Sequence, residues 1–350
     1  MSSPLLVYGS YGYTGDLVVD EARARGLEPV LGGRDGEALA DQAAATGLPT
    51  RTFGLDDESS VREALDGVDA VLNCAGPFEA TFDPLARAAV ATGTDYLDIT
   101  GELDVFRRAR TIDARAEEAG VAVVPGVGYD VVPSDCLAAW LADDVDGPSE
   151  LTVVVEAPSA PSGGTAETAA ANLRAPDLVR RDGALTEALP GSAERRFTVT
   201  GRDRATVRLP LGDLVTAHHA LGVGEIETYA AMPPAMARAV RHGRPLLRAL
   251  PEGPAEAVAR RIARAVAEGP DADARATDRS WAWAEVRGDD AVARGIVRTP
   301  ETYRFTALAA VRCAERALAG DAPAGYQSPA SAFGADLLDA IPDVELERLE

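Results

Sequence analysis

The chain has 350 residues, of which 46% are hydrophobic, 56 are acidic and 34 are basic, for a formal net charge of −22. Every Lys/Arg position is arginine, which excludes a Schiff-base lysine, a Walker-type phosphate-binding lysine and the Tyr-x-x-x-Lys pair of ordinary short-chain dehydrogenases. The length suits two domains better than one core, and so acidic a surface repels phosphate backbones, so no nucleic acid is expected as a partner.

The first predicted strand, Leu5–Tyr8, runs into Gly9-Ser10-Tyr11-Gly12-Tyr13-Thr14-Gly15 and then a helix from about Thr14 to Arg25, with Leu17, Val18, Val19 and Ala22 inward. Three glycines at every third residue form a variant of the dinucleotide fingerprint. Gly9 lets the chain turn tightly out of the strand, Gly12 lets backbone approach a pyrophosphate, and Gly15 lets the helix sit close on the sheet. The helix N-terminus then points its N–H groups at the phosphates. Ser10, Tyr13 and Thr14 lie in the same turn and join the glycines as expected cofactor contacts.

The second strand, Pro29–Leu31, leads into Gly32-Gly33-Arg34. NAD sites place a carboxylate at this point for the ribose 2′-OH. Arg34 instead offers a planar fork suited to a 2′-phosphate, which favours NADPH (NADP+) and leaves NADH open. Asp35 is suited to cap a helix beginning near Glu37. A short strand is expected near Thr52-Phe53-Gly54, followed by Asp56, which could accept from the adenine amine or cap a loop.

A helix at Ser59–Leu65, a strand at Ala70–Cys74, a helix at Pro84–Thr92, a strand at Tyr96–Ile99, a helix at Leu103–Ala119 and a strand at Val121–Pro125 continue the alternation. This is an α/β pattern of right-handed βαβ units around a parallel sheet. Ligands of such sheets bind beyond the C-terminal strand ends. Those ends carry Asn73-Cys74-Ala75-Gly76-Pro77-Phe78, Asp98-Ile99-Thr100-Gly101-Glu102 and Pro125-Gly126-Val127-Gly128-Tyr129-Asp130. Ala75, Gly76, Pro77 and Phe78 are expected beside the nicotinamide ribose. Glu102 could contact ribose or substrate, or support the turn. Tyr129 and Asp130 are the catalytic candidates: Tyr129 could donate a proton or bind a carbonyl, and Asp130 could position Tyr129, the substrate or the nicotinamide amide. A helix cap is the alternative for Asp130, and Asp135 reads as a cap.

From Val132 a helix carrying Cys136, Leu137, Trp140 and Leu141 leads into a separate α+β unit. Its expected strands are Leu151–Glu156, Arg196–Thr200, Ala205–Leu209 and Ile226–Ala231, with a hairpin of Trp281–Val286 and Ala291–Arg298 turning at Gly288-Asp289-Asp290. Helical stretches are expected at Met232–Arg248, Ala255–Ala267 and Thr302–Leu318, and the segment Gly325–Ile341 is expected to fold back onto the first domain. The domain plan is thus a dinucleotide-binding Rossmann domain at 1–132, an α+β substrate or oligomerisation domain at 133–320 and a C-terminal segment at 321–350. Gly163-Gly164-Thr165 precedes a helix through Leu173, making Thr165 and Thr168 candidate substrate contacts, with an ordinary threonine cap as the alternative. Trp281 and Trp283 alternate on one strand face, for core packing or an apolar substrate pocket. The apolar strands of this unit suit a sheet-mediated homodimer.

No apolar run approaches the ~20 residues that cross a bilayer, and Met1-Ser2-Ser3-Pro4 lacks the charged start of a signal peptide. A cytoplasmic protein without stable membrane insertion is expected. Cys74, Cys136 and Cys313 are odd in number and far apart, which suits buried thiols in a reducing compartment rather than disulfides or a metal. His218, His219 and His242 have no metal-binding arrangement, so no metal is expected. Acidic excess without lysine resembles proteins of high-salt cytoplasm, with acidic drift in a GC-rich genome as the alternative.

Taken in order, Gly9–Gly15, Gly32-Gly33-Arg34, Asn73–Phe78, Tyr96–Glu102 and Gly128–Asp135, then Gly163-Gly164-Thr165, Gly212–Val215 and Gly325–Ala330 before Phe333-Gly334, resemble the saccharopine dehydrogenase-like oxidoreductases. The similarity is to the branch that includes the trans-acting enoyl reductases of lipid biosynthesis, and it runs along nearly the whole chain. It implies a Rossmann domain with an inserted α/β substrate domain and NAD(P)-dependent redox chemistry. No set of basic groups suited to a dicarboxylic amino acid is identifiable, so saccharopine itself is not the expected substrate. The expectation is NADPH-dependent reduction of a C=C bond, or of a C=N bond as the alternative, in a small or lipid-derived substrate. A non-catalytic NADPH-sensing regulator is the other reading.

Overall fold

The computed structural model describes residues 5–166, 176–188, 196–199, 201–249 and 269–349. The chain forms two compact units, Met1–Val132 with Tyr303–Pro342, and Pro133–Thr302 with Asp343–Glu350.

The first unit opens with β1 (Leu5–Tyr8), α1 (Tyr13–Ala24), β2 (Val30–Gly33), α2 (Gly36–Thr46), β3 (Thr50–Thr52), α3 (Glu58–Ala64), β4 (Ala70–Asn73), α4 (Phe78–Thr92), β5 (Asp95–Asp98), α5 (Leu103–Thr111), α6 (Asp113–Ala119) and β6 (Ala122–Val124). β1 and β4 are buried at every position, as strands covered by helices on both faces must be. The chain then leaves through α7 (Val132–Ala142) into the second unit.

Several elements differ from the sequence expectation, β2 among them, which runs to Gly33 rather than ending at Leu31. The helix expected from Pro84 starts at Phe78, with Pro84 inside it. Proline favours a first-turn position, but here the Glu102 carboxylate accepts from the N–H groups of Phe78 and Glu79 and holds an earlier start. The helix expected over Leu103–Ala119 is two helices, because Ile112 takes φ −103°, ψ 2° between them. The third strand lies at Thr50–Thr52, where it pairs with β2 through Leu31↔Thr50 and Gly33↔Thr52.

The second unit continues through β7 (Glu150–Glu156), β8 (Leu178–Arg181), β9 (Ala184–Glu187), β10 (Arg196–Val199), β11 (Arg202–Arg208), α8 (Asp213–Leu221), β12 (Glu225–Ala231), α9 (Pro234–Ala249), α10 (Ala272–Thr277), β13 (Arg279–Arg287) and β14 (Val292–Pro300). The chain returns to the first unit as α11 (Thr302–Leu318), β15 (Gly325–Tyr326) and α12 (Pro329–Phe333), and ends in β16 (Glu345–Leu349) on the second sheet. The helix expected at Ala255–Ala267 lies outside the described residues.

The first sheet has the order β15-β6-β5-β4-β1-β2-β3, and every pair in it is parallel. Its strand order reverses between β1 and β4, the switch point at which open α/β sheets bind ligands. Register aligns Tyr8 with Gly32 and Asn73, and Asn73 with Asp98, so these residues end their strands at one level. The C-terminal return packs onto this unit: Tyr303 meets Tyr13 edge-on at 5.0 Å, and β15 extends the sheet beside β6. Residues 303–320, grouped with the second domain in the sequence analysis, therefore lie in the first unit, because the face of α11 carrying Tyr303 and Thr306 is used there.

The second sheet is mixed, in the order β10-β11-β12-β7-β13-β14-β16, with β8 and β9 as a side hairpin. The β13–β14 hairpin pairs antiparallel from Arg279↔Pro300 to Arg287↔Val292. On one face Trp281 and Trp283 cluster with Val154, Phe197, Tyr229 and Ile296, with Phe197 5.1 Å from Tyr229 and 5.5 Å from Trp283. Both tryptophans are core residues. Among the described residues no helix is long and apolar enough to cross a membrane.

Candidate active site

The glycine turn does what its spacing requires. Gly9 leaves β1 at φ 77° and its N–H donates to the Gly32 carbonyl at 2.8 Å. A Cβ on Gly9 would meet Ala75 Cβ at 2.8 Å, so the turn lies against the tail of β4. A Cβ on Gly15 would stand 2.1 Å from the Gly9 carbonyl oxygen, which is the close helix approach the third glycine permits. A Cβ on Gly12 would find only the Gly9 oxygen, at 3.2 Å. Gly12 is also the N-cap of α1 and supplies no side-chain cap. The first-turn N–H groups of α1 are thus open to an anion.

Ser10 is buried, and its hydroxyl has no hydrogen-bond partner among the described residues. Gln42 ties the turn to α2 by donating to the Ser10 carbonyl at 2.9 Å and to Asp16 at 3.0 Å. Tyr13 and Thr14 open α1, both half-buried. A bare glycine face, an uncapped helix start and an orphaned buried hydroxyl together fit a pyrophosphate.

The end of β2 separates the two neighbours Arg34 and Asp35. Asp35 is the N-cap of α2, its Oδ1 accepting from Glu37 and Ala38 N–H groups at 3.1 and 3.2 Å. Arg34 is exposed and makes no ion pair or hydrogen bond among the described residues. Asp56 is exposed as well, and the N-cap of α3 is its neighbour Asp57. Tyr8 feels all of this region: burial pushes its hydroxyl up to about 12, Tyr11 and Asp56 add to the rise, and Arg34 opposes it.

On the other side of the switch point, Asn73 organises the turn that follows β4. Its Oδ1 accepts from Ala75 N–H at 3.0 Å, and its Nδ2 donates to Thr81 at 3.0 Å and to the Tyr96 hydroxyl at 3.2 Å. The Thr81 hydroxyl donates back to the Ala75 carbonyl at 2.7 Å. Ala75, Gly76, Pro77 and Phe78 are held in this way with partly open surfaces. Glu102 spends both carboxylate oxygens on Phe78 and Glu79 N–H groups, at 3.0 and 2.7 Å. Of the roles open to it, the structure shows turn support. Cys74, half-buried, has its thiol pushed up by burial and by Asp98, which makes it a poor nucleophile.

Asp98 is the centre of the buried network. It accepts from Tyr96 OH at 2.8 Å, Thr100 N–H at 3.0 Å and Gly126 N–H at 2.9 Å. Burial pushes its carboxyl up to about 6, against the lowering effect of those hydrogen bonds and with help from the Glu102 charge. The folded state therefore holds this proton more tightly than the unfolded chain. The associated stability is full below the ordinary value of 3.8 and is lost as pH rises through about 6. Asp98→Asn keeps the shape and removes the titration. Relative to it, the wild type is expected to lose roughly 1 kcal/mol between about pH 5 and about pH 7.5, measured by urea unfolding of both proteins. A difference independent of pH would contradict the assignment.

Tyr129 and Asp130 follow β6, and the structure separates their environments. Tyr129 is buried, its ring edge-on to Phe305 at 6.0 Å and its N–H donating to Thr306 at 3.1 Å. Asp130 keeps an exposed side chain. A Cβ on Gly101 would fall 2.3 Å from its Oδ2, so the carboxylate lies against the β5 tail. The surrounding protein, and secondarily the Glu102 charge, push it up to about 6. Its open side admits water, which moderates the shift without changing its direction. The tails of β4, β5 and β6 are thus drawn together within one unit.

The remaining candidates lie elsewhere. In the second unit Ser162 bonds the Thr165 hydroxyl at 3.1 Å and accepts from its N–H, so Ser162 does the capping and Thr165 is exposed. Thr168 lies outside the described residues. His218 bonds the Val223 carbonyl at 2.9 Å near the end of α8, a structural use. Sequence reasoning placed Asn73 and Asp98 at the strand ends and Tyr96 in the same strand as Asp98 but gave them no individual role; their signal was polar groups in otherwise apolar strands.

A parallel sheet with this strand order, a glycine turn at its switch point and a second mixed-sheet unit define a two-unit protein with a Rossmann nucleotide-binding domain. Residues 5–124 match the family model of the saccharopine dehydrogenase NADP binding domain. Two relatives agree: a protein of Arabidopsis thaliana named "Probable mitochondrial saccharopine dehydrogenase-like oxidoreductase", 30% identical over 148 residues, 37% of this chain and 33% of that one, and the trans-acting enoyl reductase of Mycobacterium leprae, 33% identical over 144 residues, again 37% and 33%. These alignments span about a third of the relatives' own length. Saccharopine dehydrogenase (L-Glu forming) of Saccharomyces cerevisiae shares the fold over 99% of both chains, with a TM-score of 0.65 at 12% identity.

Proposed function

We propose that the protein is an NADPH-dependent oxidoreductase that reduces a polarised C=C bond in a small or lipid-derived substrate. The observation that carries this is the placement of Asp130: a carboxylate open to solvent that lies against Gly101 of the β5 tail, where the tails of β4, β5 and β6 converge. The likeness to an enoyl reductase supports C=C over C=N chemistry.

Bound NADPH supplies the hydride. The glycine turn and the α1 N-terminus take the pyrophosphate, and Arg34 takes the adenosine side. Ala75–Phe78, braced by Asn73, Thr81 and Glu102, hold the nicotinamide side. Asp130 in its acid form gives a proton to the carbon next to the activating carbonyl as negative charge develops there. Tyr129, buried against Phe305, positions the loop that carries Asp130. The same reading takes the protein to be cytoplasmic, where its three free cysteines stay reduced, and its homodimer to be decided by sedimentation.

The test is NADPH consumption with α,β-unsaturated thioesters and ketones, and with cyclic imines as the competing class. An acid with a raised pKa loses its proton as pH rises, so kcat is expected to fall with rising pH. Asp130→Asn is expected to lower kcat by about 100-fold and to remove that limb. Turnover of imines alone would move the reaction to the C–N class. No turnover of either class by protein that binds NADPH would favour the sensor.

A further inference from the structure

We propose that Tyr11 is a second determinant of cofactor choice, its hydroxyl donating to the 2′-phosphate of NADPH beside Arg34, with Gly33 kept small to seat its ring. This rests on the nucleotide reading above and names the device that selects within it.

The geometry is specific to three residues. Tyr11 stands in the glycine turn, yet its ring lies over the end of β2. A Cβ on Gly33 would come within 2.4 Å of Tyr11 Cε1 and 3.1 Å of its hydroxyl oxygen. Any side chain at position 33 would therefore displace the ring. The Tyr11 hydroxyl accepts from the Asp35 N–H at 3.2 Å. A phenol that accepts at its oxygen still has its own proton to give. The ring is half-buried, so that proton has solvent to face.

The neighbours decide which ligand group it would meet. An NAD site needs a carboxylate here for the 2′-OH. The nearest carboxylate, Asp35, is turned to the start of α2 by its cap. What remains at the end of β2 is a phenol proton and the guanidinium of Arg34, without ion pair or hydrogen bond among the described residues. Two donors and no committed acceptor suit a phosphate dianion and offer nothing particular to a hydroxyl. The exposed carboxylates of Asp35 and Asp56 are the charges in this group opposed to an anion, and Asp35 has its oxygen engaged at the start of α2.

The experiment is a binding titration of wild type, Tyr11→Phe and Gly33→Ala with adenosine 2′,5′-bisphosphate, NADPH and NADH, with thermal unfolding as a control. Tyr11→Phe keeps the ring and removes one hydroxyl. It is expected to weaken NADPH and the bisphosphate about tenfold, the size of a lost hydrogen bond to a charged group, and to leave NADH unchanged. Gly33→Ala is expected to show the same selective loss if it folds. A wild type that prefers NADPH while Tyr11→Phe leaves all three affinities unchanged, or lowers NADPH and NADH alike, would overturn the proposal and leave the oxidoreductase reading standing. A folded wild type that binds none of the three would overturn both.

Discussion

Gly15→Ala is expected to lose about 3 kcal/mol of stability, and nucleotide binding with it, the upper range for overpacking a tight site. The added Cβ would lie 2.1 Å from the Gly9 carbonyl oxygen and 3.0 Å from two backbone carbons. All three are main-chain atoms, so no side chain can rotate aside. Either α1 moves off β1 or the turn opens, and in both cases the phosphate-facing N–H groups lose their aim. Gly12→Ala is the informative contrast. Its Cβ would meet only one oxygen at 3.2 Å, so the fold should hold while the bare face needed by a pyrophosphate is filled. Urea unfolding and nucleotide titration of the two variants separate these effects. Equal stability loss in both would mean that the turn is not arranged as described.

Arg34→Ala is expected to weaken NADPH by roughly 30-fold, corresponding to about 2 kcal/mol for charge-assisted hydrogen bonds to a phosphate. NADH, which lacks that phosphate, should bind as before, so the preference between the two collapses. Arg34→Lys should recover part of the loss, since a point charge remains but the planar fork does not. The loss should also shrink at high salt, because the exposed guanidinium is screened. Titration of both nucleotides at low and high ionic strength checks each statement. A parallel fall in NADPH and NADH affinity would assign Arg34 to the fold or to the shared part of the cofactor.

Much of the first unit was legible because local signals agreed. Leu5–Tyr8 and Ala70–Leu72 are runs of apolar and aromatic residues, and glycines punctuate their exits. Asp35 begins its helix as a cap in the ordinary way, as its position suggested, whereas the cap of α3 is Asp57 and not the neighbouring Asp56. What could not be read were interactions supplied from a distance. Glu102 starts α4 early from another loop, and Pro84, taken as a first-turn residue, is carried inside. The role of Gly33 depends on a ring from a residue 22 positions earlier in the chain (33 − 11), which no local pattern announces. The β8–β9 hairpin was missed although Asp182-Gly183 sits at its turn with φ 48° and 75°, a signal for a tight hairpin. Its strands, Leu-Val-Arg-Arg and Ala-Leu-Thr-Glu, lack the apolar alternation that would have drawn attention to it. Asp130 was legible as a candidate, whereas its separation from buried Tyr129 required the packing of α11.

The most direct measurement is calorimetric titration of the wild-type protein with NADPH and with NADH, folding confirmed beforehand by circular dichroism. The account predicts saturable one-site binding of NADPH, tighter than NADH by about tenfold or more. Folded protein that binds neither nucleotide, or that prefers NADH, would contradict it.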